Sequence, residues 1–123
     1  MGWDEILWFK SSEFDCKSEP GTGSRMDLAF VRKLDKLRDA VKMPLTIVSG
    51  YRTPEHNAKV KDSVNGSAHT TGHAVDISAV SSADKFKILE AAFRLGFRRL
   101  GFGATFIHVD DSIAHPQDVA WSY

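Results

Sequence analysis

Cysteine is almost absent, with Cys16 the only one in 123 residues. An internal disulfide is therefore excluded, as are zinc frameworks built on two or four thiolates. Any metal must sit on histidine and carboxylate. Cys16 has no metal-type neighbour in sequence and reads as a buried small thiol. Net charge is also lacking, because Lys and Arg total 16 and Asp and Glu total 16. No excess of positive charge exists to hold a polyanion or an acidic membrane surface, so nucleic acid is not an expected partner. No apolar run approaches the roughly 20 residues needed to cross a bilayer, which argues against membrane insertion. The N-terminus has no basic leader: Asp4 and Glu5 precede a short apolar run, which is not the pattern of a signal peptide. Internal repeats and low-complexity tracts are missing too.

What is present is the composition of a soluble globular domain, 42% hydrophobic and 26% charged. The length suits one domain over 1–123, with 1–24 as an N-terminal segment and loop packed on it, and a monomer is expected. Trp3, Trp8, Phe9 and Phe14 read as core for that segment rather than as a sugar platform. Phe30, Leu34, Leu37 and Val41 recur at helical spacing within 27–42, and Pro44 closes that helix. Leu45 to Val48 is a β-branched run of the kind that forms a buried strand. Thr53 and Pro54 open a short helix to about residue 61, and Val64 to Ser67 turn the chain.

A strand is expected over 74–79. Ser81 then caps a helix carrying Phe86, Leu89, Ala92 and Phe93 toward a stop at Gly96. Two further strands, 98–102 and 105–109, are joined through Gly103 and Ala104 as a hairpin. Helices mixed with short strands in hairpin order give an α+β class, a small antiparallel sheet with flanking helices.

The chemistry is concentrated in Ser67, His69, Gly72, His73, Ala74 and Asp76, followed by His108 and Asp110. Two imidazoles and one carboxylate suit zinc, and three protein ligands leave a fourth position open for water. His69 precedes Asp76 by seven residues, which fits a turn followed by a strand. In the run Phe106, Ile107, His108, Val109, Asp110, alternate side chains share a face. His108 and Asp110 then point together while Ile107 and Val109 point inward. Small Gly72 and Ala74 would leave room above Asp76.

This pattern resembles the zinc D-Ala-D-Ala carboxypeptidase family of metallopeptidases, particularly its short, phage-associated members. Ser49, Tyr51 and Arg52 are similar to an upstream segment of that family, and the closing Trp121, Ser122 and Tyr123 to its usual end. The resemblance implies a hedgehog/DD-peptidase-like fold, with His69, Asp76 and His108 as zinc ligands and Arg52 contacting substrate. Arg52 offers a planar, permanently charged fork for a carboxylate such as a cell-wall stem peptide carries; the alternative is an ion pair with Glu55 or an aspartate. Ser67 and His73 are placed at the substrate rim, His73 because three ligands already suffice.

Several relatives carry an acid three residues before the last histidine ligand, where this chain has Thr105. Asp110 can act as the catalytic base, or it can orient His108 as carboxylates behind metal-bound imidazoles commonly do. Asp111, Glu55, His56 and His115 are the other bases available. Two functions follow. One is a zinc peptidase of peptidoglycan stem peptides, of D-Ala-D-Ala carboxypeptidase or endopeptidase type, serving as a phage or prophage lysis enzyme. Such an enzyme would be made in the cytoplasm without a leader and would reach the wall by holin release or in a virion. The other is a non-catalytic, zinc-stabilised module that binds a peptide or wall fragment.

Overall fold

In the N-terminal segment, three short 3₁₀ turns, Trp3–Glu5, Ser11–Phe14 and Thr22–Arg25, fold a stretch with few helix-forming runs onto the rest of the chain. The computed structural model describes residues 2–60 and 66–123. The Phe14 ring lies 5.6 Å from both Trp3 and Phe9, and Ile6, Phe9 and Phe14 join the core. Trp8 differs from the other aromatics. It is about half exposed, its ring stacked under the Arg38 guanidinium at 4.0 Å and its Nε1 donating to Asp39 at 2.7 Å.

The elements that follow are α1 (Leu28–Val41), β1 (Ile47–Ser49), α2 (Pro54–Lys59), β2 (Ala74–Ser78), α3 (Ser82–Arg94), β3 (Arg99–Phe102), β4 (Phe106–Asp110) and β5 (Val119–Ser122). Each helix starts on a side-chain cap: Asp27, Thr53 and Ser81 accept from the amides of Phe30, His56 and Asp84. Helix α2 ends at Lys59, near the expected position; residue 61 and the first half of the expected turn, Val64 and Asn65, lie outside the described residues.

The sheet order is β1-β2-β4-β3-β5, antiparallel except for β3 and β5, which run parallel. One row crosses all five strands: Ser49 opposite Asp76, Asp76 opposite His108, His108 opposite Gly101, and Gly101 opposite Trp121. Register partners point to the same face, so the polar chemistry is gathered on one side of the sheet. Val75, Ile77, Leu100, Ile107 and Val109 occupy the other side. They form one core with Phe30, Leu34 and Leu37 of α1 and Ile88, Ala91 and Ala92 of α3.

Three expectations are corrected. Of the 45–48 run only Ile47 and Val48 enter a strand, β1, which is an edge strand rather than a buried one, and Val48 is 42% exposed. Helix α3 turns Ile88, Ala91 and Ala92 inward and leaves Phe86 and Phe93 largely exposed, since the alanines let it pack closely. The strand β5 was not foreseen, and it adds a parallel pair to the antiparallel sheet.

Asp35, on the buried side of α1, ties down the N-terminal segment by accepting from the amides of Leu7 at 2.7 Å and Trp8 at 3.0 Å. Asp35→Ala leaves both amides unpaired. It is expected to lower unfolding stability by about 2–3 kcal/mol, measured by urea denaturation; a loss under about 0.5 kcal/mol would show that these bonds do not hold the segment.

Candidate metal centre and active site

His69 enters the site from the 3₁₀ turn Ala68–Thr71, which Ser67 caps by accepting from the His69 amide. Gly72 ends that turn at φ +80°, a left-handed conformation that favours glycine. A Cβ there would also lie 2.7 Å from the Arg25 carbonyl oxygen. Gly72 is therefore required for backbone conformation and close packing against 25–27, not to leave room for a metal. The turn delivers the chain into β2, so the seven residues from His69 to Asp76 are a turn plus half a strand.

Ligand-type atoms of His69, Asp76 and His108 all lie within 4.8 Å of one another. His108 Nδ1 is 2.9 Å and His69 Nε2 3.5 Å from the same oxygen, Asp76 Oδ1. The remaining ring nitrogens are committed elsewhere. His69 Nδ1 lies 2.8 Å from the Gly50 carbonyl and His108 Nε2 lies 2.6 Å from Asp110 Oδ2. Carbonyl and carboxylate can only accept, so His69 Nδ1 and His108 Nε2 carry protons; His108 also donates from Nδ1 to Asp76, and loss of that second proton is what frees the Nδ1 lone pair for a metal. With that proton gone, two neutral imidazole donors and a carboxylate, each imidazole anchored behind, fit a zinc-type ion with an open position.

Burial depresses the basicity of His69, so it is neutral without assistance. Burial also works against a proton on His108, but hydrogen bonds to Asp110 and Asp76 outweigh it and raise the imidazole above its ordinary range. For Asp76, burial opposes ionisation and is overcome by the neighbouring His108, which donates to it, and by His69, and together they hold the carboxyl below the usual carboxylate range. Asp110 behaves likewise, with His108, Arg99 and the Ser112 amide stabilising its charge against burial.

These residues form the floor of a cavity of about 620 Å³ that is also lined by Arg52, Ser67, Arg99, Phe106, His115, Trp121 and Tyr123. Arg52 donates from Nε to Ser49 Oγ and from Nη1 to Asn57 Oδ1, and its Nη2 is 3.5 Å from Asp76 Oδ2. It thus has an aspartate partner and a place in the cavity wall. Asp110 is 1% exposed and fully engaged: Oδ2 accepts from His108, and Oδ1 accepts from Arg99 Nε at 2.7 Å and the Ser112 amide at 3.1 Å. Ser67 lines the cavity. His73 does not; its Nδ1 pairs with Asp111 Oδ1 at 2.8 Å and its ring lies against Phe30 of α1. Thr105 is exposed and also lies outside the lining, its carbonyl accepting from the Ala79 amide.

A family model for peptidase M15 matches residues 8–110. The chain belongs to the peptidase M15 family. No curated protein sequence matches it. The M15 family comprises zinc-dependent D-Ala-D-Ala carboxypeptidases and related enzymes, so the chain is a metallopeptidase of the kind that acts on peptidoglycan. Membership agrees with the α+β fold and with a site able to hold a metal at His69, Asp76 and His108. No described helix is long and apolar enough to cross a membrane.

Sequence reasoning missed Arg99 and gave Trp121 and Tyr123 no role in the M15 site. Arg99 holds Asp110, donates from Nη1 to the Pro116 carbonyl at 2.6 Å and lies 5.0 Å over the Trp121 ring. Trp121 in turn reaches the His108 ring at 5.3 Å. A signal existed in the opposition of Arg99 and Asp110 across the β3–β4 hairpin, but Trp121 depends on β5. Gly101 makes its approach feasible, because a Cβ there would lie 2.7 Å from Trp121 Nε1. Gly101→Ala is expected to displace the indole and cost about 1–3 kcal/mol. A near-ultraviolet circular dichroism spectrum and unfolding curve unchanged from the parent would contradict this packing.

Proposed function

We propose that this chain hydrolyses peptide bonds in peptidoglycan stem peptides with zinc held by His69 Nε2, Asp76 and His108 Nδ1. The reading rests on one observation: three buried ligand-type groups converge at the floor of a cavity whose rim carries two arginines. Zinc supplies Lewis-acid polarisation of the scissile carbonyl and acidifies the attacking water. The Gly50 carbonyl fixes the tautomer of His69. Asp110 acts as a positioning group for His108 rather than as a base, since both its oxygens are already occupied and water cannot reach it.

Arg52 binds a carboxylate of the stem peptide, with Ser67 at the rim of the same cavity. Phe106, Trp121 and Tyr123 form an apolar wall that limits water around the reacting bond. His73 has no substrate role here, being occupied by Asp111. The enzyme is of carboxypeptidase or endopeptidase type and serves in phage or prophage lysis, reaching the wall by holin release or within a virion. The missing acid at position 105 favours the second reading, a zinc-stabilised module that binds wall peptides without cutting them.

Mass analysis of a defined muropeptide separates these readings. Cleavage that stops on chelation and returns with added zinc is expected; released D-alanine marks the carboxypeptidase and an internal cut the endopeptidase. Intact peptide with fully metallated protein would leave the binding module. Zinc affinity should also follow pH. His108 holds its proton above the ordinary histidine range whereas His69 does not, so metal uptake expels one proton from His108. Affinity is then expected to fall about tenfold per pH unit once pH drops below the raised His108 value. Titration calorimetry in buffers of differing ionisation enthalpy checks this, and zinc binding without proton release at pH 6 would contradict it.

A further inference from the structure

We propose that His115 is the catalytic proton carrier of this site, held in place by Ser112; the proposal rests on the peptidase reading above. Among the described residues lining the cavity, the titratable groups are few. His69, Asp76 and His108 are the ligand set. Asp110 has both oxygens committed. Arg52 and Arg99 carry guanidinium groups, which donate hydrogen bonds and accept none, and burial pushes the Tyr123 phenol further above neutrality. His115 is what is left.

Its ring lines the same cavity as the ligand set. His115 is half-buried, and Nδ1 lies 2.8 Å from Ser112 Oγ, while Nε2 has no protein partner among the described residues. A proton on Nδ1 donated to Ser112 Oγ leaves the Nε2 lone pair available. The loop that carries the ring is pinned at several points. Gln117 Nε2 donates to the carbonyls of Ser112 and His115 at 2.8 and 2.9 Å, and Arg99 Nη1 donates to that of Pro116. The Ser112 amide donates to Asp110 Oδ1, whose other oxygen holds His108. One Arg99–Asp110 pair thus fixes both the metal-site imidazole and the loop bearing the second imidazole. The charged groups lining the same cavity are Arg52, Arg99, Asp76 and Asp110.

In the proposed step the water oxygen bonds to the scissile carbonyl carbon as one of its O–H bonds breaks and the proton moves to His115 Nε2. Collapse then breaks the C–N bond and the same proton passes to the leaving nitrogen, giving a carboxylic acid and an amine; the acid's remaining proton, the second from the water, then moves to the amine to leave carboxylate and ammonium. Position 105 cannot serve, because Thr105 lacks an ionisable group and lies outside the cavity lining.

The test uses the zinc-loaded protein with His115→Ala and His115→Gln, the glutamine retaining a polar partner for Ser112. Both variants should bind zinc stoichiometrically and hold a non-cleavable stem-peptide analogue as the parent does, with kcat lowered by about 10²–10⁴. Added imidazole should restore part of the alanine variant's rate, a rescue that a purely structural residue would not show. Independently of turnover, the His115 ring nitrogen resonances in ¹⁵N spectra of the parent should shift when the analogue binds. A kcat within about threefold of the parent, loss without imidazole rescue, or an unmoved His115 resonance would each overturn the proposal. An inactive parent would instead remove the peptidase reading, and the proton carrier with it.

Discussion

Asp76 and His108 are register partners on β2 and β4, and the rest of the site depends on that pairing. Both are buried, and a buried carboxylate without partners costs several kcal/mol. The fold surrounds this one: His108 and His69 stand at one oxygen and Arg52 at the other. Such a cluster of opposed charges and lone pairs is poorly suited to serve only as core, and well suited to receive a dication. The sheet contributes by geometry. Pleating sends His108 and Asp110 to one face and Ile107 and Val109 to the other, so the strand that anchors the core also builds the metal site.

Behind the ligands lies a second layer that joins the site to the end of the chain. Asp110 orients His108, Arg99 neutralises Asp110, and the same guanidinium holds the Pro116 carbonyl and stacks near Trp121. Charge-assisted bonds of this kind are stronger and more directional than neutral ones. They give the segment after β4, which has no regular structure until β5, a fixed path around the cavity. In this way the apolar wall and His115 become part of the same construction as the ligands.

Much of this was legible in the residues. The alternation through 106–110 placed His108 and Asp110 correctly, and Thr53 and Ser81 marked their helix starts through local capping. Local rules suffice where one strand or one turn decides the outcome. They failed where distant segments decide. The inward face of α3 is selected by how closely Ala91 and Ala92 can approach the core, which the periodicity of Phe86 and Phe93 does not reveal. Strand β5 is short, exposed on alternate residues and paired in parallel with β3, so its own sequence carries little strand signal. Arg99 looked like any surface cation until β3 and β4 brought it opposite Asp110. Gly72 was noticed for its small size, whereas its positive φ and contact with 25–27 are what require it.

The most direct test of the metal centre is anomalous diffraction at the zinc edge from crystals of the zinc-loaded protein. The expected result is an anomalous peak between His69 Nε2, the Asp76 carboxylate and His108 Nδ1, with Asp110 still bound to His108 Nε2. A peak elsewhere, or a His108 ring turned to offer Nε2 with Asp110 released, would contradict it.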